Sequence, residues 1–314
     1  MSRKRKGAAV NGWVVLDKPF GLGSTPALAR VRRLFDAAKG GHGGTLDPLA
    51  TGVLPIALGE ATKTLPFVID SDKEYLFTVC WGMATNTDDL EGVEAARSDV
   101  RPDRAAILGV LPRFTGNLLQ VPPIYSAIRV AGERAYDLAR AGEEVVLPPR
   151  PVVVHSLVLE DMPDADHAVF RVACGKGTYV RSLARDLALA LGTVGHVAVL
   201  RRTRAGPFDE KMAQTLEELA ISLASEAALL DSPPLGGSLL PVETALADIP
   251  ALAVTEEDAA LLKRGQQIRT TGIVPHPGYE TANAPVVQIH GGGRLIALVR
   301  PEAGWLWPVR VFNL

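Results

Sequence analysis

Apolar positions along the chain follow two rhythms. Short apolar runs bounded by turn residues mark strands, beginning with Gly12-Trp-Val-Val-Leu16. Aromatic and β-branched residues make Glu74-Tyr-Leu-Phe-Thr-Val-Cys-Trp81 a second strand. Residues 152–159 and 168–174 read as two more, separated by an acidic turn. Over 25–35 the rhythm is helical, with Leu28, Val31 and Leu34 recurring among Arg30, Arg32 and Arg33. After the sharp turn Gly175-Lys-Gly177, the residues Val180, Leu183, Ala184, Leu187 and Leu191 form one apolar stripe that Gly192 stops. Strands interleaved with helices predict an α+β (mixed α/β) domain of catalytic size over residues 11–220.

The pattern changes after residue 220. Residues 230–240 contain two prolines and two glycines, so 221–249 is expected to be a linker. Beyond it, Thr255-Glu-Glu-Asp258 fits a capping box ahead of a short helix closed by Gly265. Residues 286–290 and 295–299 flank Gly291-Gly-Gly-Arg294 as a hairpin, and 305–312 adds a strand, which makes 250–314 a small β-rich unit. At the other end, residues 1–10 carry the run Arg3-Lys-Arg-Lys6 and read as a solvated, flexible basic terminus.

Charge changes this picture locally. The 314 residues include 33 Lys or Arg and 35 Asp or Glu, a net −2 that excludes indiscriminate polyanion binding. Residues 170–206, however, carry a net +6, against −6 over 69–99 and −10 over 207–262. The basic stretch is either a positive face, on which Tyr179 and Leu200 contact a base while arginines neutralise phosphates, or a helix face paired with acidic residues. Within 86–92, Asn86, Asp88 and Asp89 have the side chains to hydrogen-bond a local turn. Two cysteines, Cys80 and Cys174, exclude a disulfide scaffold and fit a reducing cytoplasm. No apolar run approaches the ~18 residues that cross a bilayer, and the basic start lacks the apolar stretch of a signal peptide.

One segment calls for more than structure. In Gly41-His-Gly-Gly-Thr-Leu-Asp-Pro-Leu-Ala-Thr-Gly52, four glycines and a proline surround a single carboxylate. Glycines permit close backbone approach, and Pro48 biases Asp47 towards an extended conformation. Between Leu46 and Leu49 that carboxylate is expected to be poorly solvated, which suits a nucleophile or base steadied by a cation. The alternative is a plain turn aspartate. The six histidines, His42 among them, show no paired spacing and no carboxylate cluster, so no metal site is expected. Gly175-Lys-Gly-Thr178 lacks the spacing of a phosphate-binding loop.

Taken in order, several blocks resemble the bacterial tRNA pseudouridine-55 synthases, the TruB family. They are Leu16-Asp-Lys-Pro-Phe-Gly21, residues 42–52, Lys73-Glu-Tyr75, Val121-Pro-Pro-Ile-Tyr-Ser-Ala127, Gly175-Lys-Gly-Thr-Tyr-Val-Arg181 and Leu200-Arg-Arg-Thr-Arg-Ala-Gly-Pro207. The resemblance covers nearly the whole chain and departs at two places: Gly23-Ser24, where many relatives have two hydroxyl residues, and the loop-rich stretch 220–250, which has no clear counterpart. It implies a mixed, largely antiparallel sheet flanked by helices, followed by a PUA-like RNA-binding domain over 250–314. It implies isomerisation of uridine 55 in the T loop of tRNA, after base flipping and without a cofactor.

The resemblance also implies the roles. Asp47 is the catalytic aspartate, acting at C1′, on the uracil ring or on the C2′ proton, and Arg181 steadies it. Tyr75 stacks on the flipped uracil and takes part in removing the C5 proton. Tyr179 and Leu200 wall the base pocket, His42 stands where the T loop is disrupted, and Lys18 lies beside the substrate cleft. The expected partner is the T-stem-loop of tRNA, bound by a monomer without a protein partner. Two alternatives stand beside this one: a tRNA-folding factor that opens the T loop without chemistry, and a guide-dependent, dyskerin-like enzyme that needs partner proteins.

Overall fold

The first apolar run becomes strand β1 (Gly12–Lys18), with Trp13, Val14 and Leu16 fully buried. The computed structural model describes residues 7–126, 128–130, 132–143, 145–227, 237–270, 274–275 and 284–314. The basic run Arg3-Lys-Arg-Lys6 and the proline- and glycine-rich centre of the expected linker lie outside the described residues.

Helix α1 (Ser24–Leu34) follows β1, but it buries Ser24, Ala27 and Val31, leaving Leu28 half-buried and Leu34 exposed. The stripes 24-27-31 and 28-31-34 share Val31. Ser24 selects the first, because its hydroxyl donates to the Leu46 carbonyl and accepts the Leu46 N–H, both at 2.8 Å. Gly23 provides no side-chain cap, so the one hydroxyl at this departure from the family pattern holds the loop that carries Asp47.

Next come β2 (Gly40–His42), β3 (Thr51–Leu58) and β4 (Lys73–Trp81). Further on are β5 (Gly116–Gln120), β6 (Arg150–Asp161), β7 (His167–Cys174), helix α2 (Val180–Ala190) and β8 (Gly195–Ala205). Their main path through the sheet is β1-β3-β8-β4-β7-β6-β5, antiparallel at every step except β3 beside β8. That parallel contact is short, pairing Arg201 with Thr51 and Arg202 with Gly52, and higher up the same edge of β3 is taken by β2. The sheet therefore splits between β3 and β8, and the segment from β2 to β3 occupies the split.

Helix α2 lays Leu183, Ala184 and Leu187 on one face of the sheet with Phe77, Phe170 and Trp81, and Gly192 (φ +73°) ends it. The Phe77 and Phe170 rings stack at 5.4 Å between centroids. A second cluster packs α1 against Leu16, Leu54 and Ile56.

The C-terminal β unit has the expected elements. Helix α4 (Glu256–Lys263) is capped by Thr255, whose hydroxyl accepts the Asp258 N–H at 3.2 Å, and strands Val287–Gly291, Arg294–Glu302 and Trp305–Val311 pair in sequence. Its Leu295, Leu298 and Phe312 share a cluster with Trp13, Val53 and Phe208. Lys63 donates to the Val311 carbonyl (2.6 Å), and the Asn313 N–H donates to Glu60 (2.8 Å).

The described ends of the expected linker are not a free tether. Helix α3 (Leu216–Ala227) enters it, Leu240 and Trp13 exchange two backbone hydrogen bonds of 2.8 Å, and Val242 and Leu246 are buried. Prolines and glycines signal turns, but the apolar residues between them have a core to join.

Candidate active site

Residues 44–48 form a loop whose five consecutive carbonyls all have donors. Arg202 donates to Gly44 (3.1 Å) and Thr45 (3.5 Å), and Ser24 to Leu46. Ala50 N–H donates to Asp47 (3.1 Å), while the Pro48 carbonyl accepts from Gly21 N–H (2.9 Å) and Lys18 (3.1 Å). A surface loop normally leaves such groups to water; this one is fixed from four sides. Gly44 (φ +122°) and Gly52 (φ +96°) take backbone conformations that L side chains rarely adopt, and a Cβ at Gly52 would overlap the Arg202 carbonyl.

The loop presents Asp47 towards the start of α2. Arg181 Nη2 lies 3.0 Å from Asp47 Oδ2 and donates to the Tyr125 carbonyl (2.9 Å). Its Nη1 donates to the Thr87 carbonyl (2.9 Å) and lies 3.4 Å from Asp89 Oδ2. The Arg181 side chain is 7% exposed and that of Asp47 is 41% exposed. Asp47 is thus better solvated than its apolar neighbours predict, because Leu46 turns into the core and the carboxylate faces out. It meets an ion partner instead of serving a local turn. Leu49, Ala50, Val197 and Leu200 line the small pocket beside the pair.

Tyr75 stands on β4 directly across from Arg202 on β8, and Leu200 across from Phe77. Burial raises the Tyr75 phenol, and the Arg202 guanidinium within hydrogen-bonding reach opposes that rise. Tyr179 precedes α2, and its backbone N–H and carbonyl are held by the Gln120 amide at 2.8 and 3.1 Å. Burial raises its phenol too, with the Ser126 hydroxyl working against it. His42 lies half-buried on β2, its pKa lowered first by burial and then by the Arg202 charge.

Lys18 lies beneath the loop that carries Asp47 and beside the pocket lined by Asp17, Thr51 and Arg201. It is fully buried, and Nζ donates to the carbonyls of Pro19 (3.1 Å), Leu22 (2.5 Å) and Pro48 (3.1 Å). Burial lowers its pKa to about 8, with Asp47 pulling it back up and Arg202 adding to the fall. Three carbonyl dipoles in place of water explain why an ammonium is tolerated there, and why it is unavailable to a ligand.

The basic stretch 170–206 is largely neutralised. Arg171 pairs with Glu74 and Glu160, Lys176 with Asp70, Arg185 with Asp88 and Asp186, and Arg201 with Asp17 and Glu210. With Arg181 that makes five of the seven cations there, and most partners come from residues 47–89 instead of 207–262. Asn86 and Asp89 do serve the local turn, Asn86 accepting from the Val93 N–H and Asp89 from Thr87 and the Glu91 N–H, whereas Asp88 reaches Arg185 on α2 and Asp89 also reaches Arg181.

Comparison with known proteins agrees with this architecture. A family model described as TruB family pseudouridylate synthase (N terminal domain) matches residues 32–180, and one described as tRNA pseudouridylate synthase B C-terminal domain matches 181–247. The chain belongs to the TruB family. A protein of Caulobacter vibrioides named tRNA pseudouridine synthase B is 55% identical over the full length of both chains. A Bradyrhizobium diazoefficiens protein of the same name is 56% identical over 97% of this chain and 86% of that one. Among solved structures, a chain of a Cbf5-Nop10-Gar1 complex superposes with a TM-score of 0.73 at 27% identity, covering 96% of this TruB-family chain and 84% of that one.

Sequence alone assigns no site role to four residues that build this TruB-family site: Ser24, Asp89, Gln120 and Arg202. Each contacts backbone or charge far away in the chain, so local spacing leaves no trace of it. The nearest signal was the run of acids at 88–89 facing arginines one helical turn apart, Arg181 and Arg185.

Proposed function

We propose that this chain converts uridine 55 in the T loop of tRNA to pseudouridine, with Asp47 as the carboxylate that acts on the nucleotide. The observation that carries the reading is the Asp47–Arg181 pair, 3.0 Å apart on a fixed loop, with the carboxylate open to an incoming ligand and Leu200 beside it. The names of the relatives supply the substrate class.

The reaction breaks the N1–C1′ bond, turns the uracil and joins C5 to C1′. The C5 proton leaves and N1 gains one, so no electrons are exchanged and no cofactor is called for. Attack at C1′, addition to the ring and removal of the C2′ proton each begin from an ionised carboxylate, and Arg181 Nη2 stands 3.0 Å from it as a charge-assisted partner. Uridine must first leave its stack, at a cost of a few kcal/mol. Tyr75, Tyr179 and Leu200 are assigned the walls that receive it, aromatic stacking returning about 1–3 kcal/mol per base. His42 stands on the edge strand next to the loop and is assigned a steric role towards the T loop. The 250–314 unit is assigned to RNA binding as a PUA-like domain.

The test is pseudouridine mapping after incubation of the purified chain with unmodified tRNA. Modification at position 55 alone is expected, without any added protein. Asp47→Asn should abolish tritium release from C5-labelled uridine while tRNA binding persists; turnover by that variant would falsify the assignment.

A further inference from the structure

Arg202 is 1% exposed, and no carboxylate pairs with it among the described residues. An arginine that deep normally has an ion partner, because an uncompensated buried charge is costly. Here the fork spends its donors on backbone: Nε on Val53 (2.8 Å), Nη2 on Gly44 (3.1 Å) and Nη1 on Thr45 (3.5 Å). The location explains the arrangement. Beyond Gly52 the strand β3 has lost β8 and not yet met β2, so its Val53 carbonyl lacks a ladder partner. The side chain of Arg202 takes the place of the missing strand and reaches on to the loop bearing Asp47.

Its backbone sets a second contact. Arg202 and Tyr75 are register partners across β8 and β4, and side chains directly opposite in an antiparallel pair stand about 4.5–5.5 Å apart at Cβ. We infer that Arg202 is a positioning residue for the isomerisation: one buried guanidinium fixes the loop of Asp47 to the sheet and aims and polarises the phenol of Tyr75. The inference rests on the roles proposed for Asp47 and Tyr75, and it goes beyond them in linking the two through one cation. Burial alone holds the phenol in its neutral form, and the guanidinium works in the opposite direction.

Lysine keeps the charge but replaces a planar fork by a single nitrogen, which cannot span Val53, Gly44, Thr45 and Tyr75 together. Arg202→Lys is therefore expected to lower kcat for tritium release by about tenfold or more, with KM for tRNA changed by less than about threefold. The rising limb of its kcat–pH profile should move to higher pH, because the phenol loses the fixed guanidinium fork that favours its ionised form, the lysine ammonium being held elsewhere. A fold defect alone would scale activity with the folded fraction and leave that limb in place, which would overturn the inference, as would wild-type kinetics.

A second measurement does not depend on that variant folding. Tyr75→Phe removes only a hydroxyl. In 15N-arginine spectra it should shift the Nη signals of Arg202 and spare the Nε signal held by Val53. An unchanged Nη pair would overturn the link between the two residues. Absence of turnover by the wild-type chain on tRNA would count against the functional reading instead, and the arginine spectra would still decide the contact.

Discussion

Asp47 and Asp89 are held by opposite nitrogens of one guanidinium, Asp47 at 3.0 Å from Nη2 of Arg181 and Asp89 at 3.4 Å from Nη1. The two carboxylates differ in surroundings. Asp89 is buried and also bonded to the Thr87 hydroxyl (2.6 Å) and the Glu91 N–H (3.0 Å). Asp47 has only the arginine and solvent on its free side. Asp89 therefore sets the plane of the guanidinium, and Asp47 uses it.

Asp89→Asn should lower kcat by about 10- to 150-fold, the equivalent of the ~1.5–3 kcal/mol of a hydrogen bond to a charged group. KM for tRNA should stay near the wild-type value, since Asp89 lies behind Arg181. Single-turnover tritium release checks this; a loss confined to KM would make Asp89 an RNA contact.

Lys18 gives a pH signature in stability. Its folded pKa of about 8 lies below the unfolded value of ~10.4, so between these pH values the unfolded chain binds the extra proton. Its contribution to stability accordingly rises from pH 8 to pH 10 and is lost as pH falls through 8. Lys18→Met should be less stable than wild type, because three carbonyls lose their donor, and the gap should widen from pH 8 to pH 10. Urea melts at pH 7.5, 8.5 and 9.5 measure the gap, and a gap independent of pH would contradict the burial of a titrating ammonium.

His42 is held neutral at physiological pH, its pKa being lowered by burial and by Arg202. His42→Gln should reduce kcat/KM on tRNA yet keep the shape of the profile between pH 6 and 8. Disappearance of an acid limb in the variant would show instead that the imidazole titrates during turnover.

Phe312 belongs to the cluster of Trp13, Val53 and Phe208 and is almost fully buried. Phe312→Ala should cost about 3–5 kcal/mol in the unfolding of the whole catalytic body, not only of the β unit. Tryptophan fluorescence and far-UV circular dichroism should report one transition in the wild type; an early, separate transition with wild-type catalytic stability would refute the shared core.

The contacts legible in the sequence were the local ones. Gly192, Thr255 and the Gly291–Arg294 turn act on neighbouring residues, so helix ends and the hairpin could be read directly. Asp47 was legible because glycines around a lone carboxylate are unusual. Lys18 was placed beside the cleft only by the resemblance of its block, and its full burial under three carbonyls distributed over residues 19–48 has no local sequence signal. The charge of 170–206 left two readings open, and pairing with acids is the one the contacts favour, although the partners are mostly acids of β4 and the 86–92 turn and not those of 207–262. Arg202 is adjacent to Arg201 and indistinguishable from it in sequence; strand alternation sends one to solvent-side acids and the other into the split.

The cluster that joins Trp13 to Phe312 spans almost the entire order of synthesis. Domains emerging from a ribosome tend to fold from the N-terminus onward. Here β1 pairs with β3 only about forty residues on, but the face of that pair that carries Trp13 is completed only after Phe312 leaves the exit tunnel. A nascent chain therefore keeps part of the Trp13 face uncovered until Phe312 emerges.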